Sequence, residues 1–218
     1  MNKRQKFALA FNIIILALVI FGSVLSFAEI QFFSTKAYDH GYRLLKFFTL
    51  QSNILAGVTS LLYIFYLVRE VKKQKAIPKW VNILRYIASI DLIITFLVVA
   101  LFLGFIAEDG YFSLYLNANF LFHFLVPILT VVSFIFFEKK PVFRFRDTFL
   151  GLTHLFLYAI FYTVNVFAHM HDGVVEIEHD WYAFAHYGTG LMFAFAVGVI
   201  GIGYLASFAL YKIINRRK

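Results

Sequence analysis

Six apolar stretches, at about residues 7–27, 45–68, 83–105, 112–137, 149–167 and 186–211, follow one another with short connections. Each has the about 20 residues that an α-helix needs to cross the hydrocarbon of a bilayer. Backbone polar groups in lipid must be satisfied within their own segment or in a closed barrel, and no stretch shows the apolar–polar alternation of a barrel strand. The sequence therefore predicts an all-α membrane protein, a single six-helix transmembrane domain over residues 1–218. Composition agrees, because 61% hydrophobic against 15% charged residues leaves too little polar surface to solvate a globule. With no sizeable soluble domain left over, function must sit inside the bundle or on its loops. The absence of cysteine excludes thiol catalysis, disulfides and iron–sulfur clusters.

The net charge of +8 is not spread evenly. Sixteen basic residues fall in the N-terminal tail, in 69–80, in 138–148 and at the C-terminus, whereas the other connections hold only Lys36, Arg43 and Lys46. By the positive-inside rule this asymmetry predicts that both termini are cytoplasmic, which an even helix count satisfies. Glu29, Asp39, Glu108, Asp109, Asp172, Glu176, Glu178 and Asp180 then face outward. The positive charge is read as an orientation device facing anionic lipid, and no nucleic-acid partner is expected. The first stretch has a basic start and a small-x-small sequence at Ser26-Phe27-Ala28, but its apolar run exceeds that of a cleaved signal peptide, so it is expected to be retained as a signal-anchor.

Polar groups inside such helices are costly unless they face the bundle interior or a cavity, which makes them the informative residues. The second stretch carries Thr49, Asn53 and Gly57 four residues apart, with Gln51 and Ser52 beside them; the fourth carries Tyr115, Asn119, His123 and Pro127 at the same spacing. Pro127 has no N–H for the carbonyl of residue 123, so a kink is expected beside His123. The third contributes Asp91 and Thr95, and the fifth His154, Tyr158, Tyr162 and Asn165. At about 1.5 Å per residue, His123 and Asp91 are level at roughly 16 to 18 Å below the outer edge, Asn53 is slightly above them, Thr49 is higher, and His154 lies nearer the cytoplasmic side. A hydroxyl, an imidazole and a carboxylate in the outer half of a bundle can form the nucleophile, base and orienter of covalent catalysis.

Each residue also has a structural reading. A membrane threonine commonly bonds its own helix or packs at an interface, Asp91 can partner Arg85 or nearby hydroxyls, and Gly190, Ala194 and Gly198 form a small stripe that reads as a packing seam. The segment 168–180 contains His169, His171 and His179 among four acids, a donor set for a divalent metal. Its spacing matches no metal signature, and no bound metal is expected. His123, His154 and His186 form no facing pair for haem, and no cofactor is expected.

Two short motifs carry a resemblance. Phe-Phe-Thr-Leu-Gln-Ser-Asn-Ile-Leu at 47–55 and Leu-Phe-His-Phe-Leu-Val-Pro-Ile-Leu at 121–129 resemble the two signatures of the androgen-induced-protein family and its bacterial six-helix branch. Animal members of that family are integral-membrane threonine hydrolases that cleave fatty acid esters of hydroxy fatty acids. The resemblance implies Thr49 as nucleophile and His123 as its paired histidine, a lipid-like substrate, and a bacterial plasma membrane as location. The stretch after the fifth helix departs from the bacterial pattern, with an acidic, histidine-rich loop and Asp180-Trp181-Tyr182-Ala183-Phe184. Around the motif pair, Asn53 or Asn119 is expected to donate to the oxyanion and Asp91 to orient His123. The rival readings are a non-enzymatic binding or transport protein, whose polar stripes line a path for a small ligand or proton, and a haem or metal protein.

Overall fold

The computed structural model describes residues 1–33, 41–107, 109–186 and 188–216; Lys36, Asp39, Glu108, Arg217 and Lys218 lie outside them. Among the described residues the chain is helical, with one isolated bridge between His171 and Val174 in place of any strand. Five helices are long and apolar enough to cross a membrane: Lys3–Phe27, Phe48–Lys73, Lys79–Ile106, Ala118–Phe137 and Thr189–Arg216. Between the last two lies a shorter apolar helix, Thr153–Ala168. The helices are numbered first to sixth along the chain.

The shorter fifth helix has a local cause. The apolar stretch expected at 149–167 is broken after the turn Asp147–Leu150, and Gly151 sits in the break. A side chain there would collide with Ile90 and with the Tyr86 ring, so glycine permits the close approach of this corner to the third helix. The sixth helix packs its Gly203 against Leu155 and Ile94. The stripe Gly190, Ala194, Gly198 is not a seam: all three residues are exposed, and a side chain at either glycine would meet nothing within 4 Å. Helical period puts the stripe on the face opposite Met192, which is the one that packs.

The fourth helix also starts later than expected. Residues Tyr111–Tyr115 form a tight 3₁₀ turn, Asn117 takes a left-handed φ of 55°, and only Ala118 opens the helix. Asn117 can hold this turn because its side chain accepts from the amides of Phe32 and Phe33 and donates to the Phe33 carbonyl. Tyr115 therefore precedes the helix. Beside His123 the helix widens to a π turn over Leu121–Leu125 and resumes at Val126, one residue before Pro127; proline-free π turns also occur at Val99–Leu103 and Ser133–Phe137.

The core between the first four helices is built from Ile15, Val19, Ala56, Ala88, Leu92 and Val126. The first and second helices approach closely at Gly57, where an added Cβ would lie 2.9 Å from Val19 Cγ1. At one end of the bundle Arg85 and Glu138, both fully buried, form an ion pair with Nη2 to Oε1 at 2.6 Å. Ser60 accepts from Arg85 Nη1 at 3.0 Å, while Asn12 and Ser133 donate to Glu138 Oε1. The first four helices thus meet in one polar knot. Arg85 pairs with Glu138 and not with Asp91. Both chain ends lie at this end of the bundle, Arg4 donating to the carbonyls of Phe137 and Glu138 and Asn215 to that of Phe143.

Candidate active site

Thr49 lies at the opposite end, in the first turn of the second helix. That helix has no side-chain cap from Phe47. Instead the Phe48 amide donates to the hydroxyl of Tyr182 at 3.0 Å, a cap supplied from the loop before the sixth helix. The amides of Thr49 and Leu50 belong to the same first turn, whose N–H groups have no partner in the helix's own ladder and carry the positive end of the helix dipole. A helix start of this kind offers hydrogen-bond donors to an oxygen that gains negative charge close to it.

Next to Thr49 is a cavity of about 90 Å³. Its wall includes Thr49, Thr95, Tyr158, Tyr162, Tyr182 and Met192. That is room for a few waters or a small group of atoms. The wall is held by hydroxyl contacts. Ser52 and Thr95 oxygens are 3.0 Å apart across the second and third helices, and Ser52 Oγ also donates to the Thr49 carbonyl at 3.0 Å.

His123 is buried on the fourth helix and is not among the residues lining the cavity. Its Nδ1 lies 2.5 Å from the Leu114 carbonyl. A carbonyl only accepts, so Nδ1 carries the proton, and in the neutral ring Nε2 then keeps the lone pair a base needs. The late start of the fourth helix produces this bond, because the tight turn before it leaves the Leu114 carbonyl free to meet the imidazole. Asn53 links the two residues. Its amide nitrogen donates to the Thr49 carbonyl at 2.7 Å and to the Phe122 carbonyl at 3.1 Å. Both carbonyls are therefore within about 6 Å of each other, and one of them belongs to the residue before His123. With both N–H groups engaged, Asn53 is a clamp and has no proton for an oxyanion. Asn119 is half-buried and forms no side-chain hydrogen bond among the described residues.

Asp91 does not orient His123. Its Oδ2 lies 2.7 Å from Nδ1 of His154, and the carboxyl is fully buried. The estimate of depth from chain position put His154 nearer the cytoplasmic side; the break at Gly151 sets the fifth helix so that His154 is level with Asp91. The Phe48 ring stacks on His154, centroids 5.4 Å apart. The other oxygen, Asp91 Oδ1, is buried and has no hydrogen-bond partner among the described residues.

The histidine-rich loop uses several of its polar groups in protein contacts, Glu178 pairing with Arg43 at 3.1 Å. The rings of His169 and His179 stack with centroids 3.6 Å apart, and His169 Nδ1 bonds the Asn165 carbonyl. Among the described residues no three histidines, aspartates or glutamates gather into a set that could hold a metal ion. Asp180 accepts from the Tyr162 hydroxyl and from the amides of Phe184 and Ala185, at 3.1 and 2.9 Å. Trp181 Nε1 donates to the Tyr158 hydroxyl at 3.0 Å, which in turn donates to the Lys46 carbonyl at 2.8 Å. The segment Asp180–Phe184, a departure from the resembled pattern in the sequence, is thereby folded down over the cavity.

Among the described residues these features define an all-helical protein with an apolar exterior and a partly open, mainly apolar cavity, edged by threonine and tyrosine hydroxyls, at the start of its second helix. No family model, curated protein or solved structure matches the chain.

Proposed function

We propose that the protein is an integral-membrane hydrolase of fatty acyl esters, with six spans and both termini in the cytoplasm of a bacterial cell, and with Thr49 as nucleophile and His123 as base. The observation that carries this reading is the Asn53 clamp, which ties the backbone of Thr49 to the residue before His123 while Thr49 faces the cavity. The tautomer of His123 supports it, since Nε2 of the neutral ring is left unprotonated. The short motifs around Thr49 and His123 that resemble the threonine lipid hydrolases support it as well.

In the proposed reaction Thr49 Oγ1 attacks the ester carbonyl carbon as its proton passes to His123 Nε2. The carbonyl π pair moves onto oxygen, stabilised by the first-turn amides of the second helix. Collapse of the adduct expels the alcohol, which takes the proton from His123 and leaves an acyl-Thr49 ester. Water then attacks this ester, its proton going to His123 and then to the Thr49 oxygen, and the fatty acid leaves.

The test is covalent labelling of the membrane-embedded protein by a fluorophosphonate probe. Thr49→Ala and His123→Ala should each abolish labelling, and the double variant should be no worse than either, because the two act as a unit. Thr49→Ser should retain it. Labelling of Thr49→Ala at the wild-type rate would defeat the proposal. A second reading, a path for a small ligand or proton, is favoured by the Asp91–His154 pair, whose buried Oδ1 has no hydrogen-bond partner among the described residues; under it the wild-type protein takes up no probe.

A further inference from the structure

Tyr182 is half-buried, lines the cavity and holds its hydroxyl against the start of the second helix. Its oxygen accepts the Phe48 N–H, but a phenol has one proton as well as two lone pairs. The Tyr158 oxygen is 3.4 Å away, beyond good hydrogen-bond length, and Tyr158 already gives its own proton to the Lys46 carbonyl at 2.8 Å. Tyr182 therefore has a proton to donate into the cavity. Successive amide nitrogens in a helix are about 3 Å apart, so the Thr49 amide lies within about 6 Å of the Tyr182 hydroxyl. One substrate oxygen can then sit at hydrogen-bond distance from both.

We infer that Tyr182 is a catalytic residue whose hydroxyl donates a hydrogen bond to the carbonyl oxygen of a bound acyl ester, tightening as that oxygen becomes an oxyanion. This assignment rests on the hydrolase reading and adds to it a donor supplied by the loop that caps the second helix. During attack Thr49 Oγ1 bonds to the carbonyl carbon, the π pair moves to the oxygen facing Tyr182, and the Thr49 proton goes to His123. Tyr182 keeps its proton throughout. Burial raises its phenol pKa above the ordinary value, which keeps the donor protonated. The same hydroxyl caps the helix that carries Thr49, so nucleophile and donor are held in register by one bond.

The test uses the full chain in detergent with the para-nitrophenyl ester of a fatty acid, comparing Tyr182→Phe, Trp181→Phe and Thr49→Ala. Trp181 anchors the same loop through Tyr158 without lining the cavity, so its variant measures loosening of the loop alone. Tyr182→Phe should lower kcat by about 10²-fold with KM little changed, while Trp181→Phe stays within a few-fold of wild type at a comparable melting temperature. Wild-type turnover by Tyr182→Phe, with Thr49→Ala inactive, would overturn this assignment and leave the hydrolase reading standing. Parallel losses of activity and melting temperature in Tyr182→Phe and Trp181→Phe would make Tyr182 a strut of the loop and also overturn it. Equal turnover by wild type and Thr49→Ala would remove the hydrolase reading itself, and this assignment with it.

Discussion

Asp91 and His154, 63 residues apart in the chain, join the third and fifth helices through a single contact of 2.7 Å between Oδ2 and Nδ1, with the carboxyl fully buried. Because Asp91 is fully buried, removal of its partner leaves a polar group with nowhere to turn. His154→Ala should therefore cost about 1–3 kcal/mol of stability, whereas Asp91→Asn, which keeps an oxygen for the His154 N–H, should cost less. Thermal unfolding in detergent compares the two. Equal stability of His154→Ala and wild type would show that the contact holds nothing.

The Arg85–Glu138 pair is a stronger case. Both side chains are at 0% exposure, so truncating either one strands a charge. Arg85→Ala or Glu138→Ala should each lower stability by about 3–5 kcal/mol. The double variant Arg85→Met with Glu138→Leu should recover much of the loss, since it removes both charges and preserves volume. Denaturant titration of the detergent-solubilised protein reads the difference.

Acid sensitivity should arise at Asp147, at the same end of the bundle. Burial alone would raise its carboxyl pKa, but the Arg144 amide and the Lys79 ammonium, the latter at 2.9 Å, outweigh this and leave it below the ordinary carboxylate value. The unfolded chain then binds the proton more readily than the native one. This contribution is complete above the ordinary aspartate value of about 4 and fades as pH falls toward the depressed native value. Melting temperature measured from pH 6 to pH 3 should drop less steeply in Asp147→Asn than in wild type.

Orientation in the membrane follows from charge. The end of the bundle carrying Arg85 also bears the basic segments 69–80 and 138–148 and the two chain ends, so both termini should report from the cytoplasm. Fusion of a reporter that is active only outside the cell to the C-terminus should give no signal, and a strong signal would reverse the assignment.

Much of the bundle was legible in the sequence because apolar length is a property of consecutive residues. The positions of five long helices and the polar stripes of the second and third helices both depend on neighbours along the chain. Thr49 and His123 stood out for the same reason, as polar groups in runs where each needs a partner. Which partner each one finds is a different matter. Depth along ideal helices set Asp91 level with His123, but Gly151 breaks the fifth helix and brings His154 to Asp91. Glu138 read as part of a basic connection until four helices closed around it with Arg85. Tyr182 lay in a loop that carries no periodic signal, and its value comes from a contact 134 residues back, at the Phe48 amide. Helix formation is decided within a segment, whose hydrogen bonds are its own; pairing of buried polar groups is decided by how helices rotate and slide against one another, and only the packed bundle specifies that.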